Sequence, residues 1–262
     1  MKPTFIITSA IDTNLGVFPP EVRILQTHET INSILTYYPD AVLVLVEGGN
    51  KIADFDQSNP NELSFLWAKL RGRCHVNLNM SSSDQIRHLH DKFFSQVQNK
   101  FEMGGMSGLT KTVAELTLMA GVFEALKNEE QLKPALESDR IFKISGRYQL
   151  SPMFDPAVYT SDDAKGKYVF RRRDPSWIED AENKIGTAFG FASRLWSFDT
   201  AQLDDVIEKF NVMIEDCLEI TNTHYIDIEH LLYKHIGTEN TLQVEHTHLY
   251  GAIAPNGITV YD

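Results

Sequence analysis

Two hydrophobic periodicities alternate along the first 50 residues. Residues 4–10 (TFIITSA) and 41–49 (AVLVLVEGG) are short, continuous apolar runs rich in β-branched side chains, which is the pattern of buried strands. Between them, residues 19–41 begin with Pro-Pro-Glu and then repeat apolar residues at roughly helical spacing. The pattern predicts strand, helix, strand, which is the βαβ unit of a parallel sheet.

The later pattern predicts further elements. In the first half these are a loop and helix within 53–72, a short strand at 74–80, an amphipathic helix at 84–100, a glycine-rich loop at 102–112, a helix at 113–126 and a strand at 141–150. In the second half they are an exposed strand at 167–174, a strand pair or strand and turn at 187–198, helices at 200–218 and 226–236, and a hairpin-like turn near 254–259. No repeat or low-complexity linker divides the chain, so we expect one α/β domain with an open sheet flanked by helices.

Ligands of open α/β sheets bind at the carboxyl ends of the strands. Thr8, Ser9 and Ala10 end the first predicted strand, and Glu47 ends the second. The segment from Lys143 to Tyr148 ends the strand at 141–150. We therefore expect these three groups to lie at one edge of the sheet.

The chain is acidic, with 36 Asp and Glu against 24 Lys and Arg among 262 residues, a net charge of −12. Nucleic-acid binding requires a clustered basic surface and is disfavoured, whereas a small anion held by a few cations remains possible. Cys74 and Cys217 belong to no metal-spaced motif, so we expect reduced thiols and a cytoplasmic location. No run approaches the roughly 20 apolar residues of a membrane span, which predicts a soluble protein. No sequence feature selects an oligomeric state.

Cations stand beside the predicted strand end at 141–150. Lys143 and Arg147 bracket Ser145 and Gly146, and glycine permits close approach of a backbone or ligand. With backbone amides, the two cations have the chemistry to hold a diphosphate. Salt bridges to nearby carboxylates explain them about equally well.

Two further cations are weaker candidates for anion binding. Lys111 and Glu115 are four residues apart after a glycine-rich segment, where a helix N-terminus attracts anions. An ion pair between these two side chains is the more economical explanation. Arg23 lies in the first predicted helix.

Histidines and carboxylates in the second half are candidates for metal binding and acid–base chemistry. His246 and His248 share a face if their segment is extended and would present two imidazoles to a metal, although a polar strand face is an equal explanation. Asp227 and Glu229 lie at a predicted helix start, where the helix dipole alone favours them, and either has the chemistry of a general base. No HExxH, serine elbow or GxGxxG motif occurs, which disfavours the corresponding hydrolases and dinucleotide enzymes.

The order of these features resembles nucleotide-sugar-dependent glycosyltransferases of the GT-A type. The resemblance rests on TSAID with PDAVLVLVEGG, on LTKTVAELTLM, on DRIFKISGRYQLSPMFD and on IDIEHLLY with GAIAPNG. FKISGRY is similar to a segment of glycosyltransferase-like proteins from bacterial and viral polysaccharide clusters. The resemblance implies a Rossmann-like, open mixed sheet in one domain spanning 1–262, with a nucleotide-binding half at 1–150 and an acceptor-side half at 151–262.

In GT-A enzymes the strand matching Lys143–Tyr148 usually ends in a metal-binding D-x-D motif. Here the slot contains Ser145, Gly146 and Arg147, and the literal D-x-D of Asp54 and Asp56 follows the second strand instead. GT-A enzymes usually bind Mn²⁺ or Mg²⁺ through the D-x-D motif. Without that motif at this strand end, the resemblance leaves two ways to stabilise the leaving diphosphate. Either Lys143, Arg147 and Lys111 neutralise the leaving diphosphate, or His246 and His248 supply part of a metal site.

The resemblance also implies partners and a base. The donor is a nucleotide sugar held by the strand-end residues, and the acceptor is a glycan or another hydroxyl compound. Glu229 matches the late acidic motif of inverting GT-A enzymes, with Asp155 as second choice. A non-catalytic binding or assembly protein on a degenerate glycosyltransferase fold is the rival hypothesis. A metal-dependent hydrolase that uses the histidine pairs His88/His90 and His246/His248 ranks third.

Overall fold

The computed structural model describes residues 1–13, 16–49, 62–81, 83–96, 105–252 and 257–262. The strands are β1 Pro3–Ser9, β2 Val42–Glu47, β3 Val76–Asn79, β4 Arg140–Ser145, β5 Tyr148–Leu150, β6 Tyr168–Arg171, β7 Asp174–Pro175, β8 Phe189–Gly190, β9 Leu195–Asp199, β10 Thr241–Val244, β11 Leu249–Ala252 and β12 Thr259–Tyr261. The helices are α1 Pro20–Tyr37, α2 Glu62–Arg71, α3 Asp84–Gln96, α4 Gly105–Asn128, α5 Lys133–Leu136, α6 Ala157–Thr160, α7 Ala181–Ile185, α8 Leu203–Ile220 and α9 Ile228–Ile236. In this part of the chain, no helix combines the length and the apolar character that a bilayer crossing requires.

Seven strands form one sheet in the order β10-β6-β9-β4-β1-β2-β3. Strands β1 to β4 run parallel, β9 is antiparallel to β4 and β6, and β10 is parallel to β6. The prediction of an open, mixed sheet in a single domain is confirmed. Strands from residues 1–150 and from 151–262 lie side by side in this sheet, so the two predicted halves share one sheet.

Helices cover both faces of the sheet because successive side chains of each strand point to opposite sides. Phe5 and Ile7 of β1 pack with the apolar side chains of α1 and α2. Ile6 of β1 and Val44 of β2 pack on the other face, with α4, α8 and α9. The continuous apolar runs of β1 and β2 are therefore the consequence of burial on both faces.

The predicted hairpin near the C-terminus belongs to a smaller sheet. This sheet has the order β12-β11-β5, and all its pairs are antiparallel. The pairing of β11 with β12 confirms the hairpin, while its turn at 253–256 lies outside the described residues. The strand predicted at 141–150 is two strands, because the chain turns at Gly146 and Arg147 and β5 leaves the main sheet.

Two other predictions are wrong. The glycine-rich loop at 102–112 is helical from Gly105 onward, so Lys111 lies in the second turn of α4 and not at its N-terminus. The strand at 167–174 is not exposed, since Tyr168, Val169 and Phe170 are buried between β9 and β10. The arginines misled the prediction, because β6 ends at Arg171 and the next two lie beyond it.

Candidate active site

The order of the parallel strands reverses at β1. The chain passes from β1 to β2 and β3 on one side and then returns to place β4 on the other. At the carboxyl ends of β1 and β4, a cavity of about 10 Å³ is lined by Ser9, Arg23, Gly146 and Arg147, among others. That volume holds about one water molecule. Ligands of open α/β sheets bind at such a switch point. Of the predicted strand-end residues, Thr8, Ser9, Ala10, Gly146 and Arg147 meet at this cavity.

Gly146 allows β4 to turn tightly against β1 and α1. Its N–H donates to the Thr8 carbonyl at 2.8 Å, and its carbonyl accepts from the Thr27 hydroxyl at 3.1 Å. A Cβ on Gly146 would lie 3.0 Å from Thr27 Oγ1 and 3.2 Å from the Thr8 carbonyl oxygen. Glycine is thus required by close packing, and the turn sends the next residue, Arg147, to the cavity.

Arg23, Lys111 and Arg147 bring positive charge to the same edge. Burial and then the Arg147 guanidinium lower the pKa of Arg23, and the same two causes lower that of Lys111. Within the described residues, none of the three has a carboxylate within 4.0 Å. Arg23 Nη2 and Arg147 Nε are also buried with no hydrogen-bond partner there. Buried donors without partners are rare, and these fit an anionic ligand.

Arg194 is a fourth cation that the sequence did not single out. Its Cζ lies 5.6 Å from the Tyr148 ring centroid, and Arg147 Cζ lies 5.8 Å from the same ring centroid. Tyr148 itself is buried. The Arg194 carbonyl accepts from the Ser145 N–H at 3.0 Å, which fixes this arginine beside the end of β4.

Glu47 ties the ends of β1 and β2 together. Its carboxylate accepts from the Ser9 hydroxyl, from the Ile11 N–H at 3.0 Å and from the Gly49 N–H at 2.6 Å. Burial raises its pKa to about 7, although these hydrogen bonds and Arg23 oppose the shift. Together with the Arg23 Nη1 bond to the Ala10 carbonyl at 2.8 Å, Glu47 orders the segment after β1.

Lys143 belongs to a buried polar network. Its ammonium contacts the Glu115 carboxylate and donates to Ser145 Oγ at 3.1 Å and to the Ser193 carbonyl at 2.7 Å. An ammonium has three protons, so all its donors are engaged. Lys143 is consequently 1% exposed at the side chain and lies beneath the site instead of presenting its charge to the cavity.

Glu229 adjoins this network from the start of α9. Its Oε1 accepts from the Ser193 hydroxyl at 2.7 Å. Burial, followed by the Asp227 and Glu115 carboxylates, raises the pKa of Glu229 to about 7. A carboxyl group that titrates near neutrality has the property expected of a general base.

The other two predicted bases have different surroundings. Asp227 caps α9: its Oδ1 accepts from the His230 N–H at 3.0 Å and from His230 Nδ1 at 2.5 Å. Asp155 is exposed and accepts from the Ala157 N–H at 2.9 Å. Its charge helps to raise the pKa of Tyr38, so the two side chains lie near each other. Tyr38 lies between the end of α1 and the start of β2. The structure therefore places Asp155 at the edge of the sheet opposite Arg147.

His246 and His248 lie in the loop between β10 and β11, with ring centroids 5.7 Å apart. The register of β5 and β11 places His248 beside Ser151, whose N–H donates to the His248 carbonyl at 2.8 Å. Ser151 is three residues beyond Tyr148, or about 10 Å along an extended strand. The histidine pair is not brought together with the end of β4.

No family model matches the chain, and no curated protein matches it in sequence. Solved structures do match its fold. The mannosyltransferase Ktr4p from S. cerevisiae superposes with a TM-score of 0.51 at 8% identity, over 92% of this chain and 68% of that one. The chain has the GT-A fold.

Two further GT-A structures match with lower scores. The galactosyltransferase LgtC in complex with donor and acceptor sugar analogs has a TM-score of 0.49 and 9% identity, over 93% of this chain and 73% of that one. Core-mannan synthase A from Aspergillus fumigatus, in an Mn/GDP form, has a TM-score of 0.47 and 7% identity, over 93% of this chain and 72% of that one. Identities this low establish the fold alone.

The residues at the end of β4 do not fit the divalent cation of GT-A enzymes. Ser145, Gly146 and Arg147 contain no carboxylate and offer a guanidinium where a divalent cation needs oxygen ligands. Throughout the described ranges, no three His, Cys, Asp or Glu form a cluster that could hold a metal. Both Glu47 oxygens already accept hydrogen bonds. Asp54 and Asp56 lie outside the described residues.

Proposed function

We propose that the protein is a glycosyltransferase that moves a sugar from a nucleotide-diphosphate donor to a hydroxyl group of a glycan or another acceptor. The supporting observation is the convergence of Arg23, Lys111 and Arg147, unpaired with carboxylates in the described part of the chain, at the switch point of a GT-A sheet. Arg23 is buried, and a buried cation without a carboxylate partner is costly unless a ligand compensates it.

In this proposal the diphosphate occupies the cavity between β1 and β4. Its oxygens accept hydrogen bonds from Arg147 and from the Arg23 nitrogen that lacks a partner, and Lys111 adds charge. The nucleoside extends along Thr8, Ser9 and Ala10, in the segment that Glu47 orders. Because this cavity holds about one water molecule, the proposal requires it to widen when the diphosphate binds.

Glu229 is the proposed base. Its carboxylate takes the proton of the acceptor hydroxyl as the acceptor oxygen bonds to the anomeric carbon. The bond from that carbon to the diphosphate oxygen breaks, and its electron pair stays on the diphosphate. The cations stabilise the developing negative charge. The Glu229 pKa of about 7 suits proton transfer near neutral pH. Lys143 serves the site indirectly, by holding Glu115 and Ser193 in place.

Thermal shift with UDP and GDP, with and without Mn²⁺, tests donor binding. We expect a nucleoside diphosphate to raise the melting temperature of the parent without Mn²⁺, and Arg147→Ala to lose that rise. Arg172→Ala is the matched control, because Arg172 pairs with Glu245 on the surface and should keep the rise. If neither nucleotide stabilises the parent protein, the proposal fails.

A non-catalytic binding protein on the same fold is the second candidate, favoured by the lack of a carboxylate in residues 145–147 at the end of β4. It predicts nucleotide binding without turnover. Hydrolysis of UDP- and GDP-sugars, measured with and without added saccharides, separates the two. Turnover that disappears in Glu229→Gln supports the enzyme, whereas stabilisation by nucleotide without any turnover supports the binding protein.

A further inference from the structure

Trp177 is an exposed aromatic residue that is held in place. It follows β7 and is 49% exposed, yet its indole Nε1 donates to Asp227 Oδ2 at 3.2 Å. The Tyr225 ring packs against it, with centroids 5.5 Å apart and planes at 49°. One edge of the indole is thus fixed by a carboxylate and a second ring, while much of its surface faces solvent.

This aromatic pair adjoins the proposed base. Asp227, which holds the indole, is two residues before Glu229 and raises the pKa of its carboxyl. Tyr225 touches the start of α4: a Cβ on Gly108 would lie 3.0 Å from the Tyr225 ring. The pair therefore borders Glu229 on the side of α9, whereas the cations Arg23 and Arg147 lie beyond the end of β4.

A solvent-facing indole is suited to one face of a pyranose. That sugar face presents C–H groups, which are apolar and slightly positive, and an aromatic face carries the negative part of its quadrupole. A rigid aromatic ring also provides a large contact area at low entropic cost. Carboxylates surround this side of the site, through Asp227, Glu229 and Glu115, so a neutral sugar fits it better than an anion.

We infer that Trp177 and Tyr225 form the platform on which a pyranose of the acceptor stacks, with a hydroxyl group directed to Glu229. The inference rests on the proposed function and names its acceptor class as a saccharide. Trp177 and Tyr225 position the acceptor and take no part in bond making or breaking.

Saturation-transfer NMR with the methyl pyranosides of glucose, galactose and mannose tests the platform without any donor. We expect at least one pyranoside to receive saturation on the C–H protons of one ring face, with no transfer to sorbitol, which has hydroxyls but no ring face. Trp177→Ala should weaken binding about tenfold, and Trp177→Phe should retain part of it.

Phe65→Ala is the matched control, because Phe65 is 69% exposed on α2 and should not affect pyranoside binding. Equal binding by the parent and Trp177→Ala, or none to any pyranoside, overturns the platform. The nucleotide thermal shift on the same samples keeps the two ideas separate. Stabilisation by UDP or GDP without sugar binding refutes the platform alone, and sugar binding at Trp177 without nucleotide binding refutes the donor site alone.

Discussion

Lys143 and Glu115 form an ion pair that joins β4 to α4, with the lysine side chain 1% and the glutamate side chain 29% exposed. The two residues are 28 positions apart in the chain. The pair gives Lys143 a structural role, while Arg147, four residues later, lines the cavity. The two cations that the sequence placed in one motif thus have different surroundings.

Lys143→Met should destabilise the fold by roughly 3 kcal/mol, because it leaves the Glu115 carboxylate unpaired in a partly buried place. The partial exposure of Glu115 keeps the expected loss at the lower end of the range for buried pairs. Urea unfolding at pH 7.5 measures the change. Replacing both partners, in Lys143→Met with Glu115→Leu, should recover much of the loss; a double variant as unstable as the single one would contradict the role of the pair.

Gly146→Ala should cost about 1–3 kcal/mol of unfolding free energy through overpacking. The added methyl group would press on Thr27 Oγ1 at 3.0 Å and on the Thr8 carbonyl at 3.2 Å. The backbone contact cannot move aside by a rotamer change, so the end of β4 and Arg147 must shift. Gly72→Ala is the control, since its new Cβ would meet its nearest atom, the Ala68 carbonyl, at 3.4 Å. Equal midpoints for both variants in urea would show that the turn has spare room.

The sequence predicts the parallel core well because burial on both faces demands continuous apolar runs, as in β1 and β2. It misplaces the start of α4 because Gly105 and Gly108 are poor helix formers in isolation. Tertiary packing of α4 against α3 and α8 overrides that local preference. The arginines near β6 likewise led to a wrong prediction of an exposed strand, because they follow a strand that lies inside the sheet.

The candidate site was only partly predictable for a different reason. The strand pattern in the sequence predicts a parallel sheet, and the carboxyl ends of parallel strands lie at one edge. It therefore predicts that residues at these ends, such as Ser9, Glu47 and Arg147, lie close together. Ser193 and Arg194 come from a loop before β9, and no motif marks them. Their contacts depend on the antiparallel pairing of β9 with β4, which local sequence patterns do not encode.

Glu47 should make the protein less stable as pH rises from about 4.5 to about 7. Its pKa is 4.5 ordinarily and about 7 in the fold, so in this range the folded state holds a proton that the unfolded chain releases. The contribution is complete below pH 4.5 and lost above 7. Glu47→Gln should flatten this slope and be more stable than the parent at pH 8, by up to about 3 kcal/mol.

Urea unfolding of the parent and of Glu47→Gln at pH 5, 6, 7 and 8 measures the effect. Glu229 contributes a slope of the same sign, so Glu47→Gln should retain part of the pH dependence. The exposed Glu245→Gln is the control and should leave the parent slope unchanged. A Glu47→Gln protein with the parent's full slope would show that Glu47 does not titrate in this range.

Asp227→Asn should shift the acidic limb of the pH profile of kcat/KM for sugar transfer to lower pH. If Glu229 is the base, kcat/KM rises with pH as its carboxylate forms, near its pKa of about 7. The Asp227 charge helps to raise that pKa, so its removal lowers the pKa and makes the base available in more acidic solution. Asparagine caps a helix as well as aspartate does, which preserves the start of α9.

The pH profile of kcat/KM for sugar transfer distinguishes an electrostatic role of Asp227 from a structural one. Glu115→Gln should shift the limb in the same direction, because Glu115 also raises the pKa of Glu229. Glu229→Gln should lower the rate about 10²- to 10⁴-fold above pH 7, and by less in acidic solution where Glu229 of the parent is itself protonated. The contradicting outcome is an acidic limb of kcat/KM that stays near pH 7 in both Asp227→Asn and Glu115→Gln, although Glu229→Gln is inactive. The observed titration would then belong to a group other than Glu229.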